Sequence, residues 1–495
     1  MILDFQRNHS DDIASNLALH DIESVLKQHG TTCRNFGLPE PVGTLPELEL
    51  YNEDEEKENA ERMIPTLNEQ QRVAFDKIID GIDNVLSQKL YFLNGPGGSG
   101  KTYLYNTLMS YIRGRGQTVL AFASTGIAAT LMKNGRTIHS GFKLPVPLNE
   151  TSVSKMKQTS LKAHSLREAS LLIMDEITMI PKDGLRCIDR LLREIMQNAN
   201  TPFGGKALVI GGDFRQTLPV VAKGTRVDII ETCIKSSSLW RHFQELALIS
   251  NMRSEGQNSF NEWLLDIGQG NLPLTDGLDE DIVEIPAQMI IETDMVDTIF
   301  TNNINQLSLD ELCKRVILAT TNQESFSINS TIIEKLYGEV HHYYSADSVV
   351  TEDYNDIDTY PVEFLNAQHI SGISPHKLSL KKGTIVMLIR NLNPKKGLCN
   401  GTRLVVKGMH QRFIECEIVS QSHKGATVFL PRIDLTPSDV SLPSILKRRQ
   451  FPVVPAFVIT INKSQGQTYD RVGIYLTEPV FSHGQLYVAL SRSRN

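Results

Sequence analysis

The sequence lacks the features of a disulfide-stabilised, zinc-binding or membrane-spanning protein. Its six cysteines are spread over 495 residues with no C-x-x-C pair, so neither a disulfide framework nor a zinc site is predicted. No apolar run approaches the roughly 18 residues of a membrane span, and the N-terminus has no signal-peptide pattern. We therefore expect no membrane partner, and a location in the cytoplasm, or in the nucleus if the source is eukaryotic.

The chain also lacks the positive net charge that many nucleic-acid-binding proteins carry. Its formal net charge is -7, but residues 47–61 (ELELYNEDEEKENAE) hold eight of the 57 acidic and one of the 50 basic residues, which leaves 49 of each sign. A basic groove therefore stays compatible with the rest of the chain, although the total gives no support for one. We expect the acidic stretch to be an exposed linker that follows an N-terminal helical segment containing HDIESVLKQHG.

What the chain does contain is a phosphate-binding motif. GPGGSGKT, residues 95–102, lies between strand-like KLYFL and helix-like YLYNTLMSYI and matches G-x-x-x-x-G-K-[ST]. Glycines let backbone N–H groups curve around a phosphate, and the N-terminus of the next helix adds its positive dipole end. Lys101 would reach phosphate oxygens and Thr102 would bind magnesium. The alternative is a glycine-rich turn without a ligand. The motif predicts a nucleoside triphosphate bound by Gly95, Gly97, Gly98, Ser99, Gly100, Lys101 and Thr102.

Apolar runs alternate with helical patterns from Lys89 onward. LYFL, TVLAFAS, SLLIMDE and ALVIGGD are apolar on both faces, as central strands of a parallel sheet are. LRCIDRLLREIMQN is an amphipathic helix, and another begins at Asn68, with an inward stripe of Phe75, Ile78, Ile82 and Val85. A second parallel unit begins at RVILATTN and resumes at AFVITINKSQGQT, and the short alternating runs between them indicate a small β-barrel.

Polar residues follow two of the predicted strands. Asp175 and Glu176 come directly after SLLIM, and Gln216 lies just beyond ALVIGG. At the carboxyl end of a parallel sheet, Asp175 could hold a magnesium shell and Glu176 could orient or deprotonate a water. An amide at Gln216 could contact the terminal phosphate and that water. A capping role for the acids and a surface position for the glutamine are the alternatives.

An ordered set of motifs resembles the Pif-one (petite integration frequency) DNA helicases of superfamily one, especially the Helitron-transposon variant. The set runs from about Leu67 to Arg492 and comprises LNEQQ, GPGGSGKT, ASTGIAA, IHSGF, DEITM, PFGG, GGDFRQTLPVV, NMR, LCNGTRL, ITINKSQGQT and GQLYVALSR. The resemblance implies ATP and Mg²⁺ as cofactors, single-stranded DNA and single-strand/duplex junctions as partners, and a monomer. It also implies 5′-to-3′ movement, with roles in DNA repair, recombination, telomere maintenance or transposon replication.

The resemblance further implies residue roles. Gln71 would read the adenine, Arg253 and Arg492 would approach the γ-phosphate from the second lobe, and the catalytic set would be Lys101, Asp175, Glu176, Gln216, Arg253 and Arg492. The DNA-contacting positions would be Ser124, Thr125, Gly126, His139, Ser140, Phe142, Lys463, Ser464 and Gln465. Phe142 could stack on a base or lie in the core, and the sequence leaves both open.

The implied fold class is α/β, with two RecA-like lobes that contain parallel sheets. The expected domains are a helical segment and acidic linker (1–62), lobe 1A (63–250) with a small 1B wedge at about 142–168, lobe 2A (251–375 and 453–495), and an SH3-like 2B insertion (376–452). Relatives usually continue beyond the position of Arg492, where this chain has three more residues, so we expect a second lobe that lacks its last strand and helix.

The leading hypothesis is an ATP-dependent DNA helicase. A second hypothesis is a catalytically impaired, transposon-derived DNA-binding fragment, which intact phosphate-loop residues argue against. A third is a GTPase or small-molecule kinase, because INKSQG superficially matches the guanine-reading N-K-x-D motif; Gln465 stands where that motif requires aspartate.

Overall fold

The computed structural model describes residues 19, 23, 32–40, 51–84, 88–219, 221, 224–253, 256–273, 279, 282–350, 360–368, 370, 372–393, 396–419, 423–437 and 445–493. Most of the predicted N-terminal helix HDIESVLKQHG and the predicted core residue Val85 lie outside these ranges. In the part of the chain that is described, no helix is long and apolar enough to cross a bilayer.

The first half of the chain forms a six-stranded parallel sheet in the order β3-β2-β4-β5-β1-β6. The strands are β1 Leu90–Asn94, β2 Val119–Ala123, β3 Arg136–Thr137, β4 Leu171–Asp175, β5 Leu208–Gly212 and β6 Gln244–Ala247. Strands β4 and β5 are buried along their whole length. Residues apolar on both faces suit a sheet that is covered by helices on both sides, so the four predicted strands are confirmed.

Helices cover both faces of this sheet and form two apolar clusters with it. The helices are α1 Glu53–Met63, α2 Glu69–Asp83, α3 Lys101–Arg113, α4 Gly126–Thr130, α5 Ile138–Gly141, α6 Leu161–Glu168, α7 Lys182–Ile195 and α8 Arg226–Thr232. Helix α2 begins with a capping box made by Asn68 and Gln71. The predicted inward residues of α7, Leu185, Ile188, Leu192 and Ile195, are all buried.

The acidic stretch is not an exposed linker where the structure describes it. Residues 53–63 form α1, which begins at the side-chain cap of Asn52. Glu56 is buried against the part of the chain that contains the six-stranded sheet, which we call lobe 1. Ser110 Oγ donates to its carboxylate over 2.8 Å and Lys133 Nζ donates over 2.6 Å. Arg113 Nη1 lies 3.9 Å from the same carboxylate. The acid-rich composition predicted a solvated segment. Most of the described acids of this segment are exposed, but the paired carboxylate of Glu56 anchors the helix.

The second half contains thirteen strands among the described residues. They are β7 Arg315–Ala319, β8 His341–Tyr344, β9 Ala346–Val350, β10 Lys377–Leu380, β11 Ile385–Leu388, β12 Arg403–Met409, β13 Phe413–Ile418, β14 Thr427–Pro431, β15 Ile433–Leu435, β16 Ile445–Gln450, β17 Val453–Pro455, β18 Val458–Thr460 and β19 Arg471–Tyr475. Strands β18, β7 and β19 form a parallel sheet in that order. The helices are α9 Asn258–Gln269, α10 Met295–Phe300, α11 Leu309–Cys313, α12 Asn322–Lys335, α13 Val362–Ala367 and α14 Gln485–Leu490.

The β-rich insertion consists of a five-stranded antiparallel sheet, β14-β13-β12-β11-β17, a three-stranded sheet, β15-β16-β9, and the pair β10-β8. Strands β8 and β9 precede residue 376 and β17 follows residue 452, so the β structure extends beyond both predicted limits. A buried ion pair between Arg448 and Asp347 joins β16 to β9, at 2.6 Å. Closure of these sheets into an SH3-like barrel stays a prediction.

Phe142 lies in the core of lobe 1. Its side chain is fully buried and its ring centroid is 4.6 Å from that of Phe122 on β2. The prediction that Phe142 stacks on a DNA base is therefore wrong in this structure, because a buried ring has no face to offer a base.

We expect Phe142→Ala to lower the free energy of unfolding by about 3–5 kcal/mol, because it leaves a cavity beside Phe122. Phe429→Ala is the control, since this ring is 62% exposed, and it should change stability by about 0.5–1 kcal/mol at most. Urea unfolding followed by circular dichroism measures both. Equal effects of the two substitutions would contradict the assignment of Phe142 to the core.

Glu56→Ala should destabilise the protein by about 3–5 kcal/mol at pH 7, because it leaves the buried guanidinium group of Arg113 without its carboxylate. Burial opposes ionisation of Glu56, but hydrogen bonds from Lys133 and Ser110 and the charges of Lys133 and Arg113 lower its pKa below the ordinary 4.5. A lowered carboxyl pKa stabilises the fold above the unfolded-state pKa, and that stability is lost as pH falls through the folded-state pKa.

The difference in stability between wild type and Glu56→Ala should therefore shrink as the pH is lowered below 4.5. Glu58→Ala, an exposed glutamate of the same helix, should change stability by less than about 0.5 kcal/mol. Urea titrations at several pH values measure this dependence, and a pH-independent difference between wild type and Glu56→Ala would contradict it.

Candidate nucleotide site between the two lobes

The phosphate loop connects β1 to α3, as the sequence predicts, and its backbone needs glycine at two positions. Gly98 has φ of 93° and Gly100 has φ of 78°, values that side-chain-bearing residues rarely adopt. A Cβ added to Gly98 would lie 2.5 Å from Asn251 Oδ1, and one on Gly100 would lie 2.4 Å from Gln71 Nε2. The loop is therefore shaped by its own conformation and by the side chains packed against it.

Lys101 begins α3 and is held inside the loop. Its Nζ donates to the carbonyl of Gly95 over 2.5 Å and to that of Pro96 over 3.3 Å. Thr102, the next residue of α3, is half-buried and lines a cavity beside the loop, together with Lys101. The motif therefore presents one ammonium group and one hydroxyl at the N-terminus of a helix, where the helix dipole favours anions.

Asp175 and Glu176 lie at the carboxyl end of β4, opposite this loop. Both are buried, and Tyr105 donates to Asp175 Oδ1 over 3.3 Å. Burial raises the pKa of Asp175, opposed by the charge of Lys101. Burial and then the neighbouring charge of Asp175 raise the pKa of Glu176 to about 7. Among the described residues, Glu176 Oε2 has no hydrogen-bond partner.

Gln216 follows β5 and points into the same space. Its side chain is buried, its Nε2 donates to Asp213 Oδ2 over 3.4 Å, and its Oε1 has no partner within the described part of the chain. Buried polar atoms are rarely left unpaired. Glu176 and Gln216 both line the cavity, and each carries a buried acceptor oxygen that has no hydrogen-bond partner among the described residues.

The two predicted arginines meet at the phosphate loop. A Cβ added to Gly97 would lie 3.3 Å from Arg492 Nη2 and 3.8 Å from Arg253 Nη1. Arg253 Nη1 also donates to the carbonyl of Ser491 over 2.6 Å. Burial lowers the pKa of Arg492 from its ordinary value, and the charge of Glu176 opposes that shift.

Arg253 follows β6 and precedes α9, and the N–H of its neighbour Met252 donates to the carbonyl of Gly98 over 2.9 Å. This segment is therefore fixed to the phosphate loop itself. The assignment of Arg253 to the second lobe stays a prediction. Arg492, which follows α14, is the arginine that the second lobe contributes.

These groups enclose a cavity of about 510 Å³. It is lined by Gly97, Gly98, Ser99, Gly100, Lys101, Thr102, Ala128, Leu131, Asp175, Glu176, Gln216, Met252, Arg253, Gly466, Thr468 and Arg492. The structure therefore brings all six predicted catalytic residues to one cavity between the lobes.

Gln71 packs under the loop. Its Oε1 accepts from the N–H of Asn68 over 3.1 Å, and its Nε2 donates to the carbonyl of Ser99 over 3.4 Å. The amide is thus used within the protein to cap α2 and support the loop, and adenine recognition by Gln71 stays a prediction.

Three of the predicted DNA-contacting residues of lobe 1, Ser124, Thr125 and Gly126, make contacts within the protein. Ser124 Oγ donates to the carbonyl of Glu176, and Thr125 caps α4 through Ala128 N over 3.2 Å. Gly126 packs against the β-rich insertion, since a Cβ there would lie 3.0 Å from Cys399 Cβ.

Ser140 is exposed on α5, and His139 beside it is half-buried. Burial lowers the pKa of His139, which favours its neutral form. Ser140 lines a second cavity of about 820 Å³ between lobe 1 and the insertion, together with Lys162, Asn391 and His423. A groove lined by both apolar and polar side chains therefore adjoins α5.

The segment that contains Lys463, Ser464 and Gln465 mostly turns inward. Ser464 is fully buried and donates to the carbonyl of Ile461 over 2.6 Å. Gln465 is also buried, and its Nε2 donates to Thr217 Oγ1 over 2.5 Å. Direct side-chain contact with DNA is therefore wrong for Ser464 and Gln465 in this arrangement, whereas Lys463 is only half-buried and its contact stays a prediction.

Sequence reasoning missed two buried residues at the lobe interface, Asp213 and Tyr487. Tyr487 donates its hydroxyl proton to Asp213 Oδ2 over 3.0 Å. The strand-end argument that identified Asp175 applies equally to Asp213, which directly follows β5. No sequence signal distinguishes Tyr487 from a core tyrosine.

Two family models match the chain. One, described as PIF1-like helicase, matches residues 66–277, and the other, described as the 2B domain of the DNA helicase Pif1, matches residues 363–409. The chain is similar to the ATP-dependent DNA helicases PIF1 of Xenopus laevis (29% identity, 84% of this chain and 59% of the relative) and Homo sapiens (28%, 87% and 60%). It thus spans about 60% of the length of these curated relatives.

Solved structures give the same result. A structure concerned with DNA unwinding at forked duplex DNA by two coordinating Pif1 helicases matches with a TM-score of 0.62 and 25% identity, over 87% of this chain and 90% of that one. The structure of Bacteroides Pif1 bound to single-stranded DNA matches with a TM-score of 0.61 and 25% identity, over the same shares. On its motifs, its fold and these similarities, the chain belongs to the Pif1-like helicase family.

Proposed function

We propose that this chain is an ATP-dependent DNA helicase that binds ATP and Mg²⁺ in the cavity between its lobes. The observation that carries the proposal is the position of Arg492 of lobe 2 within about 4 Å of the phosphate loop of lobe 1. Arginine from one lobe at the phosphate site of the other makes lobe closure depend on the bound nucleotide. The curated relatives are named ATP-dependent DNA helicases.

The residues of the cavity fit these ligands. Backbone N–H groups at the N-terminus of α3, Lys101 and the two arginines would hold phosphate oxygens. The hydroxyl of Thr102 and the carboxylate of Asp175 are hard oxygen ligands, as Mg²⁺ prefers. When bound, ATP would supply the phosphoryl group that is transferred to water, and Mg²⁺ would supply positive charge that offsets the charge of the phosphates.

The free acceptors Glu176 Oε2 and Gln216 Oε1 give the chain a means to orient that water. Glu176 would accept the proton of the water. Its pKa of about 7 lies near neutral pH, and a general base is most effective when its pKa is close to the working pH. Gln216 would hold the water through its amide oxygen. Arg492 would stabilise the charge that develops on the transferred group.

Single-stranded DNA is the proposed track, with movement from 5′ to 3′ and separation of the duplex at the junction. Two observations support single-stranded DNA as the track: the exposed Ser140 beside the cavity between lobe 1 and the insertion, and the similarity to Bacteroides Pif1 bound to single-stranded DNA. Contacts to phosphates and sugars would make binding tolerant of sequence. The finer attributes that we propose are a Helitron-type variant, an SH3-like 2B barrel, a monomer, nuclear location in a eukaryote, and roles in DNA repair, recombination, telomere maintenance or transposon replication.

Lys101→Ala should abolish DNA-stimulated ATP hydrolysis, with a fall of about 100-fold or more in kcat, because no other ammonium group lines the cavity in the described part of the chain. Phosphate release with and without single-stranded DNA measures this effect. Lys57→Ala, which changes an exposed lysine of α1, is the matched control and should hydrolyse ATP as the wild type does.

The same preparations should be tested for strand displacement on duplexes with 5′ or 3′ single-stranded tails. We expect unwinding of the 5′-tailed substrate by the wild type and by Lys57→Ala, and none by Lys101→Ala. Wild-type hydrolysis that is unaffected by DNA would contradict the motor function. Tight DNA binding without phosphate release would favour a non-motor DNA-binding protein instead.

A further inference from the structure

The loop 213–217 of lobe 1, which we call the sensor loop, is held by three side chains of lobe 2. Tyr487 donates to Asp213 Oδ2 over 3.0 Å, and Gln465 Nε2 donates to Thr217 Oγ1 over 2.5 Å. His483 Nε2 lies 2.9 Å from the carbonyl oxygen of Phe214. One short loop thus carries Gln216 on its nucleotide side and contacts the other lobe on its opposite side.

Backbone packing makes this contact close. Gly484 has φ of 71°, and a Cβ there would lie 2.3 Å from the carbonyl oxygen of Arg215 and 2.6 Å from that of Gln216. Glycine therefore allows the start of α14 to press directly on the sensor loop. A movement of α14 cannot leave the sensor loop undisturbed.

Asp213 is the centre of the contact. It is fully buried, and its Oδ1 accepts from Arg215 Nη1 over 3.0 Å and from the N–H of Arg215 over 3.1 Å. Its Oδ2 accepts from both Tyr487, over 3.0 Å, and Gln216 Nε2, over 3.4 Å. The orientation of the Gln216 amide is thus set by an oxygen that it shares with Tyr487.

Tyr487 also lines a cavity together with Gly97 of the phosphate loop. One side chain of α14 thus contacts the sensor loop and borders the same space as the phosphate loop. Arg492 follows five positions later in the chain, and its Nε donates to the carbonyl of Val488 over 2.9 Å. The arginine is therefore bonded to the same helix that carries the tyrosine.

We propose that Tyr487 is a positioning residue for ATP hydrolysis, which through Asp213 fixes the amide of Gln216 in the orientation that holds the attacking water. The inference rests on the proposed function and goes beyond it. It makes alignment of the water depend on the same lobe contact that brings Arg492 to the phosphate loop.

The physical reason is that Tyr487 and Gln216 share one acceptor oxygen. Without the hydroxyl, Asp213 Oδ2 keeps only the 3.4 Å bond from Gln216 Nε2, and a buried carboxylate oxygen that loses a donor raises the free energy of this arrangement. We therefore expect the Gln216 amide to lose its fixed orientation. Nucleotide affinity depends on the phosphate loop and the arginines, so the loss should appear in kcat rather than in KM.

Tyr487→Phe should therefore lower kcat for ATP hydrolysis at saturating single-stranded DNA by about tenfold, as expected for loss of a hydrogen bond to a charged group, with KM for ATP within about twofold of the wild type. Tyr337→Phe, at an exposed tyrosine of lobe 2, is the matched control and should keep wild-type kcat.

A double variant separates positioning from a general structural effect. Because Tyr487 acts through Gln216, Tyr487→Phe combined with Gln216→Ala should hydrolyse ATP as slowly as Gln216→Ala alone. Asp213→Asn removes the shared charge from the other side and should show the same kcat loss and the same absence of additivity, so it carries the test if Tyr487→Phe fails to fold. Thermal unfolding identifies that case.

Each result is decisive. Wild-type kcat in folded Tyr487→Phe, or losses that multiply in the double variant, overturns the role of Tyr487 and leaves the proposed function intact. Absence of DNA-stimulated hydrolysis in the wild type overturns both. A tenfold loss confined to kcat and absent from the Gln216→Ala background establishes Tyr487 as a positioning residue.

Discussion

The burial of one charged side chain at the phosphate loop constrains the rest of the molecule. Arg492 is almost completely enclosed, and a guanidinium group in that position requires hydrogen bonds and a counter-charge. Its donors are used by Ser491 Oγ and by the carbonyls of Val488 and Gln467, and Glu176 supplies negative charge across the lobe boundary. Its hydrogen bonds thus all lie within lobe 2, and the counter-charge of Glu176 is what the contact between the lobes adds.

Much of lobe 1 and of its site could be predicted from sequence because the signals are local. Apolar runs identify parallel strands, and the carboxyl ends of such strands meet at one edge of the sheet, which places Asp175 and Glu176 beside the loop that contains Lys101. The same argument applied to Gln216, and the resemblance to helicases added the two arginines. Short-range chemistry and a known motif order were together sufficient for the cavity.

The failed predictions depend on contacts between distant parts of the chain. Phe142 is buried by Phe122, the acidic helix is anchored by Glu56 beneath residues of α3, and Gln465 faces Thr217 of the other lobe. In each case the residue type is compatible with exposure, and only the position of a partner distant in sequence decides whether the side chain is buried. Family motifs identified the segments of Phe142 and Gln465, and composition identified the acidic stretch, but neither could say which way each side chain points.

The nature of the contact between the lobes favours movement over permanent association. The four main apolar clusters of the described residues each lie either within lobe 1 or within lobe 2 and its insertion. The contacts across the cavity include hydrogen bonds, such as Tyr487 to Asp213 and Gln465 to Thr217, each worth about 0.5–3 kcal/mol net. Bonds of this size can be broken or formed in response to the charge of a bound triphosphate, whereas a shared apolar core could not be opened without exposing it to water. Stability thus resides inside each lobe, and the junction is left free to respond to the nucleotide.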